Sequence, residues 1–278
     1  MLKIDVIQRN HWQEIMSFLV KWRLMLTTLP VVGAVVCLKV FVFDRWLGFG
    51  GVLEFSDLTF VLTGGVFLVG FMLAGTMADY KEAERLPGEL VCALATIEET
   101  FEQAAANKPA LDVCELRNLV RDNADAIDAW LHRRANFEKV ATALDALARG
   151  ARQVELAGVP APIGVRVINE IHGLRRSLVR MSVISRTGFL ATGYALLETL
   201  TAIIIGLLMI AKFRSLLAES MLVALITLIY VYMVRLIRDI DDPFEYSADG
   251  VAGAAEVDLE VLKDYRNRLA ARSDSPAG

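Results

Sequence analysis

The sequence predicts an all-α integral membrane protein, with four transmembrane helices and a long helical cytoplasmic insert between the second and third. Apolar residues fill 55% of its 278 positions at a mean hydropathy of +0.46, above the about 45–50% of soluble domains. They gather in four blocks, about 25–43, 57–78, 187–211 and 216–234. Each is close to the roughly 20 helical residues that cross about 30 Å of hydrocarbon. Between the second and third blocks strand-like alternation is scarce, and Leu116, Leu119 and Val120, or Ile127 and Leu131, recur at helical spacing.

The first block opens at Met25 and runs to Phe43, with a kink expected at Pro30, which lacks a backbone donor. Only Lys212, Phe213, Arg214 and Ser215 separate the third and fourth, which must form a tight helical hairpin. No cleaved signal peptide is expected, because Trp12 to Arg23 carries charges throughout and the first block is long enough to stay in the membrane. Lys and Arg set the orientation. Residues 1–24 hold 4, residues 79–186 hold 15 and the tail from 235 holds 6 of the 29. The two remaining loops hold only Arg45, Lys212 and Arg214, so both termini are expected in the cytoplasm.

Residues 1–24 place Trp12, Ile15, Met16, Leu19 and Trp22 on one helical side. Such a helix either lies in the membrane interface or packs on the rest of the protein. Residues 79–186 read as three or four long cytoplasmic helices, the first continuing from the second span and the last, about 165–186, feeding the third. Asn107-Lys108-Pro109, Gly150 and the run Gly158 to Gly164 mark the expected breaks. In the cytoplasmic tail, 235–278, Val257, Leu259, Val261 and Leu262 suggest a short docked helix, and Ser273 to Gly278 is expected to be disordered.

Composition also excludes functions. A net charge of −4 and a pI near 5.5 give no basic field for nucleic acid. Cys37, Cys92 and Cys114 form neither a disulfide framework nor a zinc spacing. His11, His132 and His172 are isolated, and Gly48, Gly50 and Gly51 lack the strand and helix of a phosphate loop. No catalytic residue, metal or cofactor is expected, and the chain is not expected to be an enzyme.

Two charges fall within the spans, where a centrally placed one costs about 2.5–3.5 kcal/mol. At 1.5 Å per residue from the inner ends, Lys39 lies about 21 Å deep and Glu198 about 17 Å. Three readings stay open: an ion pair between them, a pathway lined by Glu198, and a Lys39 that snorkels to the outer interface. Glu219 is expected at the membrane interface.

The second span repeats Thr63, Phe67 and Phe71 every four residues, with Gly64, Gly65, Gly70, Ala74, Gly75 and Ala78 around them. Small residues favour close helix packing and oligomers. An aromatic line turned to a central axis makes a hydrophobic constriction that gates by dewetting; the same line also fits lipid or a neighbouring helix.

The run Phe67-Leu68-Val69-Gly70-Phe71, then Ala78-Asp79-Tyr80-Lys81-Glu82-Ala83-Glu84-Arg85-Leu86-Pro87-Gly88-Glu89-Leu90, resembles the end of the second transmembrane helix of bestrophins. Ile240-Asp241-Asp242-Pro243-Phe244 resembles their acidic-Pro-Phe signature, and the likeness covers about residues 10–246. It implies a homopentameric ion channel in the lipid bilayer, here the inner (plasma) membrane of a bacterium. Small monovalent ions, chloride among them, would pass a hydrophobic neck at Thr63, Phe67 and Phe71. Thr63 departs from the bulky apolar residue usual there, and Asp79-Tyr80-Lys81 from the usual basic stretch. Animal members favour anions and bacterial relatives can favour cations. No calcium site is expected, since Asp239, Asp241, Asp242 and Glu245 would need further oxygens to reach the six to eight that the ion takes. The competing reading is a non-conducting membrane scaffold whose cytoplasmic helices recruit a protein partner.

Overall fold

The computed structural model describes residues 22–48, 53–186, 191–244, 246 and 255–273. The expected helix over 1–24, apart from its last turn, lies outside them, as do His11, Gly50, Gly51, Glu245 and the tail beyond Ser273. Among the described residues the fold is all-α save for one minimal strand pair. In chain order it comprises α1 (Trp22–Asp44), β1 (Leu53–Glu54), α2 (Phe55–Asn107), α3 (Val113–Leu131) and α4 (Phe137–Leu156). Then follow α5 (Ala161–Arg186), α6 (Ala191–Ile210), β2 (Ala211–Lys212), α7 (Leu216–Asp241) and α8 (Glu260–Ser273). Helices α1, α2, α6 and α7 are long and apolar enough to cross a membrane. In hydrocarbon every backbone N–H and C=O must pair internally, which a helix achieves within its own segment.

The chain divides into two compact units, residues 1–78 with 188–241, and residues 79–187 with 242–278. In the first, Leu58, Val69 and Met72 of α2 pack with Leu197, Ile204 and Leu208 of α6 and with Tyr230 and Ile237 of α7. β1 and β2 pair in parallel, Leu53 with Ala211 and Glu54 with Lys212. Helix α1 runs through Pro30, and its last seven residues, Leu38–Asp44, widen into a π-helical turn.

In the second unit the later part of α2 joins α3, α4, α5 and α8 around one core that includes Leu90, Leu94, Ile97, Phe101, Leu147, Leu174 and Leu178. Each buried side chain of this kind contributes roughly 1.5–3 kcal/mol relative to exposure. The Asp112 carboxylate caps α3 by accepting from the Cys114 and Glu115 amides at 2.8 and 3.3 Å, and the Asn136 side-chain oxygen caps α4 by accepting from Lys139 N–H at 3.2 Å. One expected boundary moves. Gly150 is not a break but lies inside α4, where a Cβ would stand 2.6 Å from Leu119 Cδ1, so glycine there permits close helix contact. The break instead follows α3, where Arg133 turns left-handed at φ 56° and the Ala129 carbonyl accepts from the Arg134 and Ala135 amides.

Helix α8 is fastened by a buried network. The Tyr265 hydroxyl donates to Glu98 Oε2 at 3.0 Å, and Arg272 Nη1 lies 3.2 Å from Glu98 Oε1. Burial first, and the Glu98 charge second, raise the Tyr265 pKa above its ordinary value. The folded state therefore holds this proton more tightly than the unfolded one. The stability this contributes is present below the ordinary tyrosine pKa of about 10 and is lost as pH rises past it. Melting of the purified protein should fall more steeply between about pH 9 and 11 than that of Tyr265→Phe, which has no such proton. Parallel slopes would contradict the assignment.

Candidate functional site

Within the first unit α2 has two contrasting sides. Leu58, Val69, Met72 and Thr76 are buried at spacings that define one helical face, and Gly65 lies in the same line. A Cβ on Gly65 would collide with Tyr230 Oη and lie 2.9 Å from Ile204 Cδ1. The Tyr230 hydroxyl donates to the Leu62 carbonyl at 2.8 Å, so the missing side chain lets α7 bond directly to the α2 backbone. Gly65→Ala should cost about 1–3 kcal/mol through overpacking, seen as a lower melting temperature in detergent. An unchanged melting temperature would mean the contact is not tight.

The opposite side carries the predicted line. Phe67 and Phe71 are 76% and 74% exposed, Thr63 is exposed with them, and Ala74 and Ala78 continue the face. The Thr63 hydroxyl donates to the Thr59 carbonyl at 2.8 Å, which ties it to its own helix. The sequence reading missed Phe60, 88% exposed. Its place seven residues before Phe67 was the available signal, since two helical turns return to one face. The exposed large side chains of α6 and α7 are instead aliphatic, among them Leu196, Ile203, Leu217 and Leu225. On α2, phenyl rings alternate with threonine, alanine and glycine.

The two charges within the spans do not meet. Lys39 is 1% exposed, and its Nζ lies 2.6 Å from Asp44 Oδ1, 3.0 Å from Glu219 Oε1 and 3.1 Å from the Ala211 carbonyl oxygen. The π-helical turn makes the first of these contacts. Residues five apart diverge on an α-helix, whereas the wider turn brings Asp44 back over Lys39. Glu219 is thus an inward-facing partner rather than a purely interfacial residue, and Lys39 does not snorkel. Glu198 pairs with Arg238, whose guanidinium also stands 5.7 Å from the Tyr194 ring centre. The reading from sequence ended the fourth span at residue 234, but α7 continues to Asp241 and so supplies this arginine.

The acidic-Pro-Phe motif begins where α7 ends, at Asp241. In the second unit Asp242 Oδ2 lies 3.7 Å from Arg133 Nη2, and Phe244 and Tyr246 are buried in the core. The Pro243 carbonyl accepts from Val257 N–H at 2.9 Å, and the Tyr246 hydroxyl donates to the Val257 carbonyl at 2.8 Å. The motif anchors the segment leading to α8. Among the described residues no three His, Cys, Asp or Glu side chains are placed to hold a metal ion.

No protein-family model matches the chain, and no curated protein matches it in sequence. Solved structures do match in fold. A bacterial bestrophin homologue from Klebsiella pneumoniae is similar at a TM-score of 0.74 and 13% identity, over 91% of this chain and 100% of that one. A singly substituted form of that homologue gives 0.69 and 16%, over 91% and 98%. A second substituted form gives 0.70 and 14%, over 92% and 100%. The chain has a bestrophin-like fold, and with its four apolar helices it is an integral membrane protein.

Proposed function

We propose that the chain is the subunit of an oligomeric ion channel, a homopentamer whose pore is lined by α2 and passes small monovalent ions. In this reading Thr63, Phe67 and Phe71 form the hydrophobic neck, with Phe60 at its outer approach. Both termini face the cytoplasm, and the protein resides in the inner membrane of a bacterium. The observation that carries the reading is the exposure of Phe67 and Phe71 on the side of α2 turned away from α6 and α7. A ring of such faces encloses a narrow apolar passage that conducts when wetted and closes when dry. The neighbouring Gly64, Gly70 and Gly75 meet nothing within 4 Å in the protomer, leaving room for other helices to come close. The likeness to bestrophin homologues adds a fold that suits this arrangement.

Glu198 is paired with Arg238 and Lys39 with Asp44 and Glu219, so neither is assigned to the ion path. The test is twofold: the mass of the purified particle in detergent, and ion flux after reconstitution in liposomes. A multiple of the 30.7 kDa chain mass together with flux supports the proposal. A monomer overturns it. An oligomer silent to every small monovalent ion tried would favour the scaffold reading.

A further inference from the structure

In the first unit, a cleft of about 590 Å³ opens between the start of α2 and the turn joining α6 to α7. Its apolar wall includes Phe55, Phe213 and Leu222, and the Phe55 and Phe213 rings stand 5.3 Å apart. Its rim carries Glu54, Lys212 and Arg214. The parallel register sets Glu54 beside Lys212, and the Lys39 ammonium pins that strand by holding the Ala211 carbonyl. Among the described residues none of these three rim charges has an ion-pair partner within 4.0 Å, although they share one cleft.

The location limits what could fill it. The cleft lies at the first turns of α2 and α7, both long enough to span a membrane, and so at headgroup depth. Trp46, in the turn just past the end of α1, is exposed, and tryptophan favours the same layer. Two cations and one carboxylate above an apolar wall complement a ligand bearing one phosphodiester, one ammonium and a hydrocarbon tail.

We infer that this cleft binds the phosphoethanolamine headgroup of a membrane phospholipid. Lys212 and Arg214 hold the phosphodiester, Glu54 accepts from the ammonium, and the first acyl carbons lie along Phe55 and Leu222. Charge-assisted hydrogen bonds to phosphate are the strong ones, and Arg214 offers a fork that matches it. The inference rests on the membrane-spanning part of the proposal and not on conduction, so a silent channel would leave it standing.

Native mass spectrometry of the full-length, delipidated protein titrated with phosphatidylethanolamine and phosphatidylglycerol provides the test. The wild type should retain phosphatidylethanolamine at a concentration roughly tenfold lower than Lys212→Gln/Arg214→Gln requires. Both substitutions are on exposed residues, and an unchanged melting temperature will confirm that the double variant is folded. Glu54→Gln should erase the preference for phosphatidylethanolamine over phosphatidylglycerol while leaving phosphatidylglycerol binding in place. Equal retention by the double variant, or an unchanged lipid preference in Glu54→Gln, overturns the assignment. Displacement by soluble phosphoethanolamine at the same concentration overturns the lipid as occupant in favour of a free phosphate ester.

Discussion

Replacing Phe67 and Phe71 together with alanine should raise ion flux through reconstituted protein and shorten or abolish its closed periods. The physical reason is the cost of wetting a narrow apolar ring. In the proposed channel two phenyl groups from every subunit would keep water out, and an ion would not enter unhydrated. Alanine at both positions widens the ring and removes most of its apolar surface. Each 1.4 kcal/mol taken from the ion's barrier gives about tenfold in rate, so an increase of that order is expected. Single-channel recording in planar bilayers measures it. Because both rings are exposed in the protomer, the double variant should melt within about 0.5 kcal/mol of the parent. A variant with unchanged conductance and gating would mean that these rings face lipid.

The largest stability effect is expected at Lys39. Its ammonium lies between Asp44 and Glu219, and the two carboxyl groups also face each other. Lys39→Met removes the cation and leaves both acids enclosed without compensation. Breaking a buried ion pair from one side costs about 3–5 kcal/mol, more than most single substitutions. The melting temperature in detergent should drop sharply, or the protein should fail to accumulate in the membrane. The triple variant Lys39→Met, Asp44→Asn, Glu219→Gln carries no net charge there and should recover much of the loss. A Lys39→Met protein as stable as the parent would show that the cluster is hydrated and weak.

These two sites differ in how far they could be read from sequence. The exposed line on α2 was legible because it is local: Thr63, Phe67 and Phe71 follow helical spacing, and Phe60 fits the same rule. The four spans were legible for a related reason, since a helix crossing lipid needs an unbroken apolar length. The Lys39 cluster was not, because it depends on a π-helical widening that periodicity does not encode and on a partner 180 residues away, Glu219. The pairing of Glu198 was missed because hydropathy falls at Arg235 while the helix does not stop there. Arginine ends an apolar block, yet it is a good helix former. Gly150 was misread as a break because glycine serves both chain reversal and close packing, and only the Leu119 side chain beside it decides between them.

An image of the detergent-solubilised particle viewed along its symmetry axis tests the central claim most directly. The account predicts a ring of subunits, with five expected, in which α2 stands nearest the axis and Phe67 and Phe71 form the narrowest passage. A lone protomer, or a ring centred on α1, α6 or α7, would contradict it.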